Sequence, residues 1–420
     1  MKKEIQVLTD SLFRREAGKM VAVLVKIFGI ENLQLSEDVV QETFITAVQN
    51  WALKGLPENP PAWLMRVAKN KAINAIRRNK YSSNIDFSDP DRKLLQSEYT
   101  MSAQMEKLWQ EDEIQDDLMR MMFACCHEQL SPENQITLIL KTLCGFSTSE
   151  IASAFLTSEE NISKRLYRTR EFFRKEKIKP EFPEDNQIQE RIEAVLKAIY
   201  LIFNEGYNSG KSNELIRKDL LHQAMYLCKL LCDHSQTQLP QVYAAMALMC
   251  FHASRIESRI TPEGEIVLLA QQDRGNWNAQ LISEGVQYLN KAASGEKLST
   301  YHIEAAIAYE HCVTKNYEDT NWKQILAYYD LLFQLYPTSV VALNRLTVVY
   351  KLKGGEFTLK ELKKSEFLKE WQKNYLYYSL LGEIYAESDK ALAETNYLKA
   401  ISLTSAEAEI RLLNKKIADL

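Results

Sequence analysis

The sequence is poor in helix breakers, with 13 Gly and 10 Pro among 420 residues. With Leu, Ala, Glu and Lys abundant, that scarcity excludes a turn-rich β class and points to helices. Its seven cysteines are an odd number without paired spacing. A disulfide framework is therefore not expected, and a reducing cytoplasm fits. No long apolar run exists: the longest near-continuous one, "VYAAMALMCF", is about ten residues, half of what a bilayer requires. The opening "MKKEIQVLTD" has no apolar segment behind its lysines, so no secretion signal and no membrane association are expected. No Gly-rich phosphate loop, metal-ligand constellation or nucleophile–base pair stands out, so no catalysis, metal or cofactor is predicted. "CCH" at Cys125–His127 is not read as a metal site, because adjacent cysteines do not share a helix face and no second pair lies nearby.

What is present is a globular composition, 46% hydrophobic and 26% charged, long enough for two to four domains. The net charge of −4 hides a division: residues 1–180 carry 26 basic and 25 acidic groups, whereas residues 181–420 carry 26 and 31. The first part is blocky. Residues 61–80 hold six Lys/Arg and no acid, residues 161–180 eight Lys/Arg and two acids, and residues 111–117 five acids and no base. Two basic footprints flanking an acidic stretch suggest two nucleic-acid contacts in one chain, against the plainer reading of solvated faces.

In "SEDVVQETFITAVQNW" Ser36 reads as an N-cap, with Glu37 and Asp38 in the first turn. Val40, Phe44, Ala47, Val48 and Trp51 form a core stripe. Asp38, Gln41, Glu42 and Ile45 form a second face, acidic with one apolar residue, suited to a basic helical partner or simply solvated. In "ENPPAWLMRVAKNKAINAIRRNK", Asn59 and two prolines start a helix. Leu64, Val67, Ala68, Ala75 and Ile76 are its buried stripe, and Arg66, Lys69, Asn70, Asn74 and Arg77 line another face without an acid. Arg and Lys neutralise phosphates, and Asn pairs with base edges. Trp63 is either core or a stacking platform. Residues 81–117 lose periodicity and read as an acidic linker, extended in part.

A second helical module follows. Ser131, Pro132 and Gly145 punctuate "LSPENQITLILKTLCG" as cap, first helical position and stop. Ser147 and Glu150 form a capping box, with Phe146 and Ile151 where a hydrophobic staple belongs. "LTS" breaks the pattern, and Thr157 or Ser158 caps the next helix. There Ile162, Leu166 and Phe173 face inward, while Asn161, Lys164, Arg165 and Arg168 share the outer face. A helix, a short turn and a helix with a basic outer face make the helix-turn-helix plan; a plain helical hairpin is the alternative.

Together, and in this order, the two modules resemble bacterial RNA polymerase sigma factors of the extracytoplasmic-function group. The first helix resembles the region-two helix that binds the polymerase clamp, across Glu37, Asp38, Val40, Gln41, Glu42, Thr43 and Phe44. The second resembles the segment that opens and reads the minus-ten element, through Trp63, Leu64, Ala68, Asn70, Ala72, Arg77 and Arg78. "LSPENQITLIL" and "STSEIASAFLTSEENISKRLYRTR" resemble region four, which reads the minus-thirty-five element, with Leu156 where the family usually has Gly. The resemblance implies a polymerase-binding role for Asp38, Gln41, Glu42, Phe44 and Ile45. It implies minus-ten contacts by Trp63, Arg66, Lys69, Asn70, Asn74, Arg77 and Arg78. It implies minus-thirty-five contacts by Ser158, Glu159, Asn161, Lys164, Arg165 and Arg168. The implied partners are core RNA polymerase and promoter DNA.

Most such factors would stop near residue 180. "VLKAIYLIFNEGYNSG", "GEIVLLAQQDRGNWNAQLISEG" and "YHIEAAIAYEH" resemble the C-terminal extension of one subgroup, which implies regulation of the sigma half in cis. Residues 185–300 read as helical without a clear period. Within 301–420, Tyr329–Pro337 and Tyr397–Ser405 share a pattern offset by 68 residues, and Leu381, Gly382 and Tyr385 fit a first repeat helix. That offset is twice the tetratricopeptide period, so this segment reads as repeats offering a face to a protein partner. Asn204, Glu205, Asp273 and Arg274 make polar clusters, structural or ligand-binding. The predicted fold is all-α: residues 1–80 a region-two-like domain, 118–180 a helix-turn-helix domain, then a large helical, partly tetratricopeptide-like part. A stand-alone regulator using only residues 118–178, or a scaffold with a vestigial helix-turn-helix, competes with this reading. Residues 36–80 discriminate, because only a sigma factor needs both a docking and a strand-opening helix.

Overall fold

The computed structural model describes residues 2–79, 85, 90–155, 157–209, 215–261 and 263–420. Among them every regular element is a helix, apart from one isolated bridge between Ile260 and Ile266. Most of the stretch 80–89 and the Leu156 turn position lie outside the described residues. The chain divides into two compact units, Met1–Phe203 with His222–Thr237 and Asn204–Leu221 with Gln238–Leu420.

The first unit is built on α1 (Lys2–Phe28), whose Met20–Val25, Ile27 and Phe28 are buried. A single turn of 3-10 helix at Ile30–Asn32 leads into α2 (Leu33–Lys54). This corrects the expected start of α2. The helix begins at Leu33, and Ser36 is a fully buried interior residue rather than a cap. The turn ahead of it supplies the entry that a side-chain cap would otherwise have to make. In α3 (Pro60–Asn79) the Asn59 side chain accepts the Ala62 N–H at 3.1 Å, and Leu64, Ala68, Ala72, Ala75 and Ile76 are buried. Val67 is only half-buried; Ala72 takes its place in the stripe.

The expected linker is more structured than its composition indicates. After α4 (Pro90–Lys93), Ser97 caps α5 (Glu98–Leu108), which buries Met101, Met105 and Leu108 at helical spacing. The acidic run 111–117 opens α6 (Glu111–Cys125), where Glu111, Asp112 and Glu113 meet the positive end of the helix dipole.

The second module follows its local signals. Ser131 caps α7 (Pro132–Thr142), and Gly145 lies at φ 66° beyond it. In α8 (Thr148–Ala154) the Ser147 Oγ accepts the Glu150 N–H while the Glu150 carboxylate accepts the Ser147 N–H. Phe146 and Ile151 are buried as a staple requires, and Ser158 caps α9 (Glu159–Glu176).

The two modules pack directly on each other. A Cβ on Gly18 of α1 would collide with the Leu143 carbonyl at the end of α7, so only Gly permits this approach. Arg14 pairs with Glu150 at 2.5 Å and lies 5.2 Å over the Phe146 ring. Arg170 of α9 pairs with the buried Glu37 of α2 at 2.5 Å.

This unit also extends beyond residue 180. It takes in α10 (Asp185–Tyr207) as far as Phe203 and α11 (Lys218–Asp233) from His222. The reason is an apolar stripe, Ile188, Ile192, Val195, Leu196, Ile199, Ile202 and Phe203, that must be covered. Arg191 donates to the Phe123 carbonyl and Gln223 to the Leu143 carbonyl.

The second unit centres on α12 (Pro240–Ser254), buried almost all round, against which α13 (Ala279–Ala292) and α14 (Thr300–Cys312) pack. Then come α15 (Trp322–Leu335), α16 (Ser339–Lys364, broken at Gly354), α17 (Leu368–Trp371), α18 (Tyr375–Ala386), α19 (Lys390–Ile401) and α20 (Glu407–Ala418). Packing is between neighbours in sequence: α14 on α15, α15 on α16, α16 on α18, α18 on α19, α19 on α20. Gly382 of α18 lies so close to the Tyr397 ring that a side chain there would collide.

The Arg14–Glu150 seam has a pH signature. Burial acts to raise the Glu150 pKa, but the Arg14 guanidinium and the Ser147 N–H and hydroxyl outweigh it and hold it at about 2. A depressed carboxylate contributes stability above its unfolded pKa, ordinarily 4.5, and loses it as pH falls towards 2. In urea titrations, the wild type should lose about 1–2 kcal/mol relative to Glu150→Gln between pH 5 and pH 3. Parallel curves would remove Glu150 from the seam.

Candidate nucleic-acid interface

Three surfaces of the first unit carry the predicted contact residues. On α2, Asp38, Gln41, Glu42 and Ile45 are exposed, with Ile45 at 56%, whereas Phe44 is 6% exposed and meets Phe13 edge-on at 4.8 Å. Phe44 therefore belongs to the floor of this face. The face is a shallow groove of about 480 Å³ walled by Thr9, Asp10 and Phe13 of α1 and by Gln41, Ile45 and Val48 of α2. The α1 wall was not legible in the sequence, because it depends on how α1 lies against α2. Asp38 accepts from Gln34 at 2.9 Å and Glu42 pairs with Lys71 of α3 at 3.2 Å, so the acidic edge is held in place. Leu53 and Leu56, at and beyond the end of α2, are also exposed.

On α3, Arg66, Asn70, Asn74, Arg77 and Arg78 are exposed along one side, and Lys69 is half-buried beside them. Trp63 is half-buried and tilted against the buried Trp51 with centroids 5.4 Å apart, so core packing claims part of its ring. Part of this basic face is covered from within the chain. Glu98 of α5 takes Arg77 in a two-pronged pair at 2.9 and 3.2 Å, and Glu106 of the same helix takes Lys69 at 2.5 Å. The Glu98 pair raises the Arg77 pKa. Two acids two turns apart on α5 thus occupy two cations of this face.

On α9, Ser158, Glu159, Asn161, Lys164 and Arg168 are exposed. Asn161 bonds Thr157 at 3.1 Å and Lys164 pairs with Glu160 at 2.6 Å, one turn away. Arg165 is half-buried, its guanidinium 5.9 Å over the Phe155 ring. Tyr167, 64% exposed, adds an aromatic to this surface that charge patterning did not flag. Arg170 points the other way, into the pair with Glu37, where burial raises the carboxyl pKa against the pull of Arg170 and Lys141.

Among the described residues no group of three His, Cys, Asp or Glu is placed to hold a metal ion. Cys125 and Cys126 are fully buried, and burial pushes the Cys125 thiol up to about 12 despite its contact with Thr142. No helix is long and apolar enough to cross a membrane among those residues.

Comparison with known proteins gives these surfaces a class. Residues 12–81 match the sigma-70 region 2 family and residues 120–173 the sigma-70 region 4 family. Residues 191–293 match a family of unknown function, DUF6596. The chain belongs to the sigma-70 factors, transcription-initiation proteins rather than enzymes, whose two regions imply interaction with core RNA polymerase and promoter DNA. It is 32% identical to the uncharacterized protein R00370 of Rhizobium meliloti over 391 residues, 93% of this chain and 90% of that protein. It is 29% identical to the ECF RNA polymerase sigma factor SigL of Mycobacterium tuberculosis over 133 residues, 31% of this chain and 68% of SigL. No solved structure matches it.

Removing the covering acids tests the α3 face. A Glu98→Gln, Glu106→Gln double variant should bind promoter DNA about threefold to tenfold more tightly and steepen the salt dependence by up to about two counterions. An unchanged affinity and salt slope would mean that α5 does not compete with DNA.

Proposed function

We propose that the protein is an extracytoplasmic-function-type sigma factor, and that its free chain is held in a closed form. The observation that carries the first half is the pairing on one chain of an exposed acidic-apolar groove on α2 with a basic face on α3. A stand-alone regulator would need only α7–α9 and would leave the α2 groove without a purpose. In this reading Asp38, Gln41, Glu42 and Ile45 meet the polymerase clamp, with Phe44 beneath them. Arg66, Lys69, Asn70, Asn74, Arg77 and Arg78, with the exposed edge of Trp63, receive the minus-ten strand. Ser158, Glu159, Asn161, Lys164, Arg165 and Arg168 read the minus-thirty-five element. Arg165 must leave Phe155 to do so.

Dimensions argue for the second half. The two elements are about 25 base pairs apart by their positions, roughly 85 Å of duplex at 3.4 Å per step. A compact body of roughly 220 residues, the size of the first unit, is only about 45 Å across. Closed, it cannot occupy both elements. Initiation therefore requires the seam at Gly18–Leu143 to part and α5 to release Arg77 and Lys69.

The extension fits a role in that step. Its first two helices, α10 and α11, cover the region-four-like module within the closed unit, and the rest follows as neighbour-packed helices. We read α14–α20 as degenerate tetratricopeptide-like repeats. Tyr329 and Tyr397 occupy equivalent second helices of α14/α15 and α18/α19, and Gly382 against Tyr397 provides the close crossing such pairs use. Their function in this reading is to bind a protein partner and bias the closed-to-open equilibrium.

The test is runoff transcription with purified core polymerase, alongside a core-binding titration. Wild type should support promoter-dependent initiation. Glu42→Lys, which breaks only an exposed pair, should weaken core binding about tenfold or more while circular dichroism stays unchanged. Absence of polymerase binding by the wild type would overturn the reading.

A further inference from the structure

The second unit contains a cluster of positive charge that no carboxylate among the described residues pairs with. Tyr207 lies at its centre. The Arg259 guanidinium lies over the Tyr207 ring, 3.7 Å from its centroid, and donates to the Tyr207 carbonyl. Arg255 lies over the same ring at 5.8 Å and donates through Nε to the Tyr207 hydroxyl at 2.8 Å. The His252 ring is 5.1 Å from that of Tyr207. Arg274, from the "QQDRGNW" segment, closes the group. It donates to the carbonyls of His311 and Thr314, and its charge and that of Arg255 bear together on His311.

Among the described residues no carboxylate lies within ion-pair distance of any of the three arginines, whose partners there are carbonyls, hydroxyls and rings. The acids nearby are engaged elsewhere. Glu257 pairs with Lys218, Asp219 with Arg217, and Asp273 accepts from the Gly275 N–H and the Asn276 amide. Of the carboxylates, exposed Glu318 bears on Arg274, beside Cys312 and Tyr317, but does not pair with it. Burial first, and then these guanidinium groups, push His252 down to about 3 and His311 to about 4. Both imidazoles are therefore neutral, and His311 Nδ1, Arg274 Nε and Trp277 Nε1 are buried without a hydrogen-bond partner. Like charges gathered in a partly desolvated place, with polar atoms unsatisfied, are stabilised by an anion. Planar guanidinium forks recognise tetrahedral phosphate and planar carboxylate groups in particular.

We propose that this cluster is a binding site for a small oxyanion, the phosphate or carboxylate group of a soluble metabolite, so that the extension senses a ligand. Arg255 is the principal recognition residue, since its terminal nitrogens have no hydrogen-bond partner among the described residues, while Arg259 and Arg274 are anchored to carbonyls and set the rim. The site lies within one unit and does not depend on polymerase binding.

The test uses the full chain, with inorganic phosphate, pyrophosphate and citrate in separate titrations against sodium chloride at matched ionic strength. Trp277, 5.0 Å from the Arg274 guanidinium, and Trp322, 5.5 Å from His311, supply a fluorescence readout beside the thermal melt. A saturable fluorescence change and a raised melting temperature with phosphate or pyrophosphate would identify a phosphate ligand; the same with citrate alone would identify a carboxylate. Arg255→Gln should weaken that binding by about tenfold or more. Should Arg255→Gln fail to fold, Arg255→Lys keeps the charge but loses the fork and should bind measurably more weakly. No saturable response to any of the three anions, or an undiminished response in the folded variant, overturns the proposal.

Discussion

The packing of the two modules on each other rests on a backbone contact. Gly18 in the middle of α1 lets that helix touch the Leu143 carbonyl, and no other residue type fits there. Two charge pairs, Arg14–Glu150 and Arg170–Glu37, also cross the module boundary. Capping and packing are coupled through it. The carboxylate that completes the Ser147–Glu150 cap is the same one that Arg14 holds, so the start of α8 and the seam stabilise each other.

The ion pairs differ in a way that matters for opening. Glu37 is 6% exposed, so its pair with Arg170 is shielded from water and from screening by salt. The pairs that cover the α3 face lie in solvent and are screened by salt, so they are weak. In the proposed opening, DNA phosphates would displace Glu98 and Glu106 with little loss, whereas parting the modules would need binding energy from a larger partner, which is the role proposed for polymerase.

Local chemistry was legible in the sequence. The caps at Asn59, Ser131 and Ser158, the Ser147–Glu150 box and the inward Ile162, Leu166 and Phe173 are set within one or two turns, and they read correctly. Ser36 misled because cap preference says nothing about a preceding 3-10 turn that already orients the chain. Helix α5 escaped because it shows just three buried positions, Met101, Met105 and Leu108, in acidic and polar surroundings. Arg14 and Arg170 escaped for another reason: their partners are 136 and 133 residues away, a distance at which no periodicity carries information. The exposed positions of the three candidate faces were readable from helical phase. That α5 covers one of them was not, since it depends on where α5 comes to rest.

We propose that a closed free chain opens on polymerase and promoter. The most direct measurement is the distance between spin labels at Glu58, beside the start of α3, and Lys175, at the end of α9, both exposed. Six of the seven native cysteines are buried, which favours selective labelling at these two positions. In the free protein the account predicts one narrow distribution, well within the roughly 45 Å of a compact unit. Adding core polymerase and promoter DNA should move it outward by tens of ångströms, towards the roughly 85 Å between the two promoter elements. An unchanged distance in a transcriptionally active complex would contradict the account.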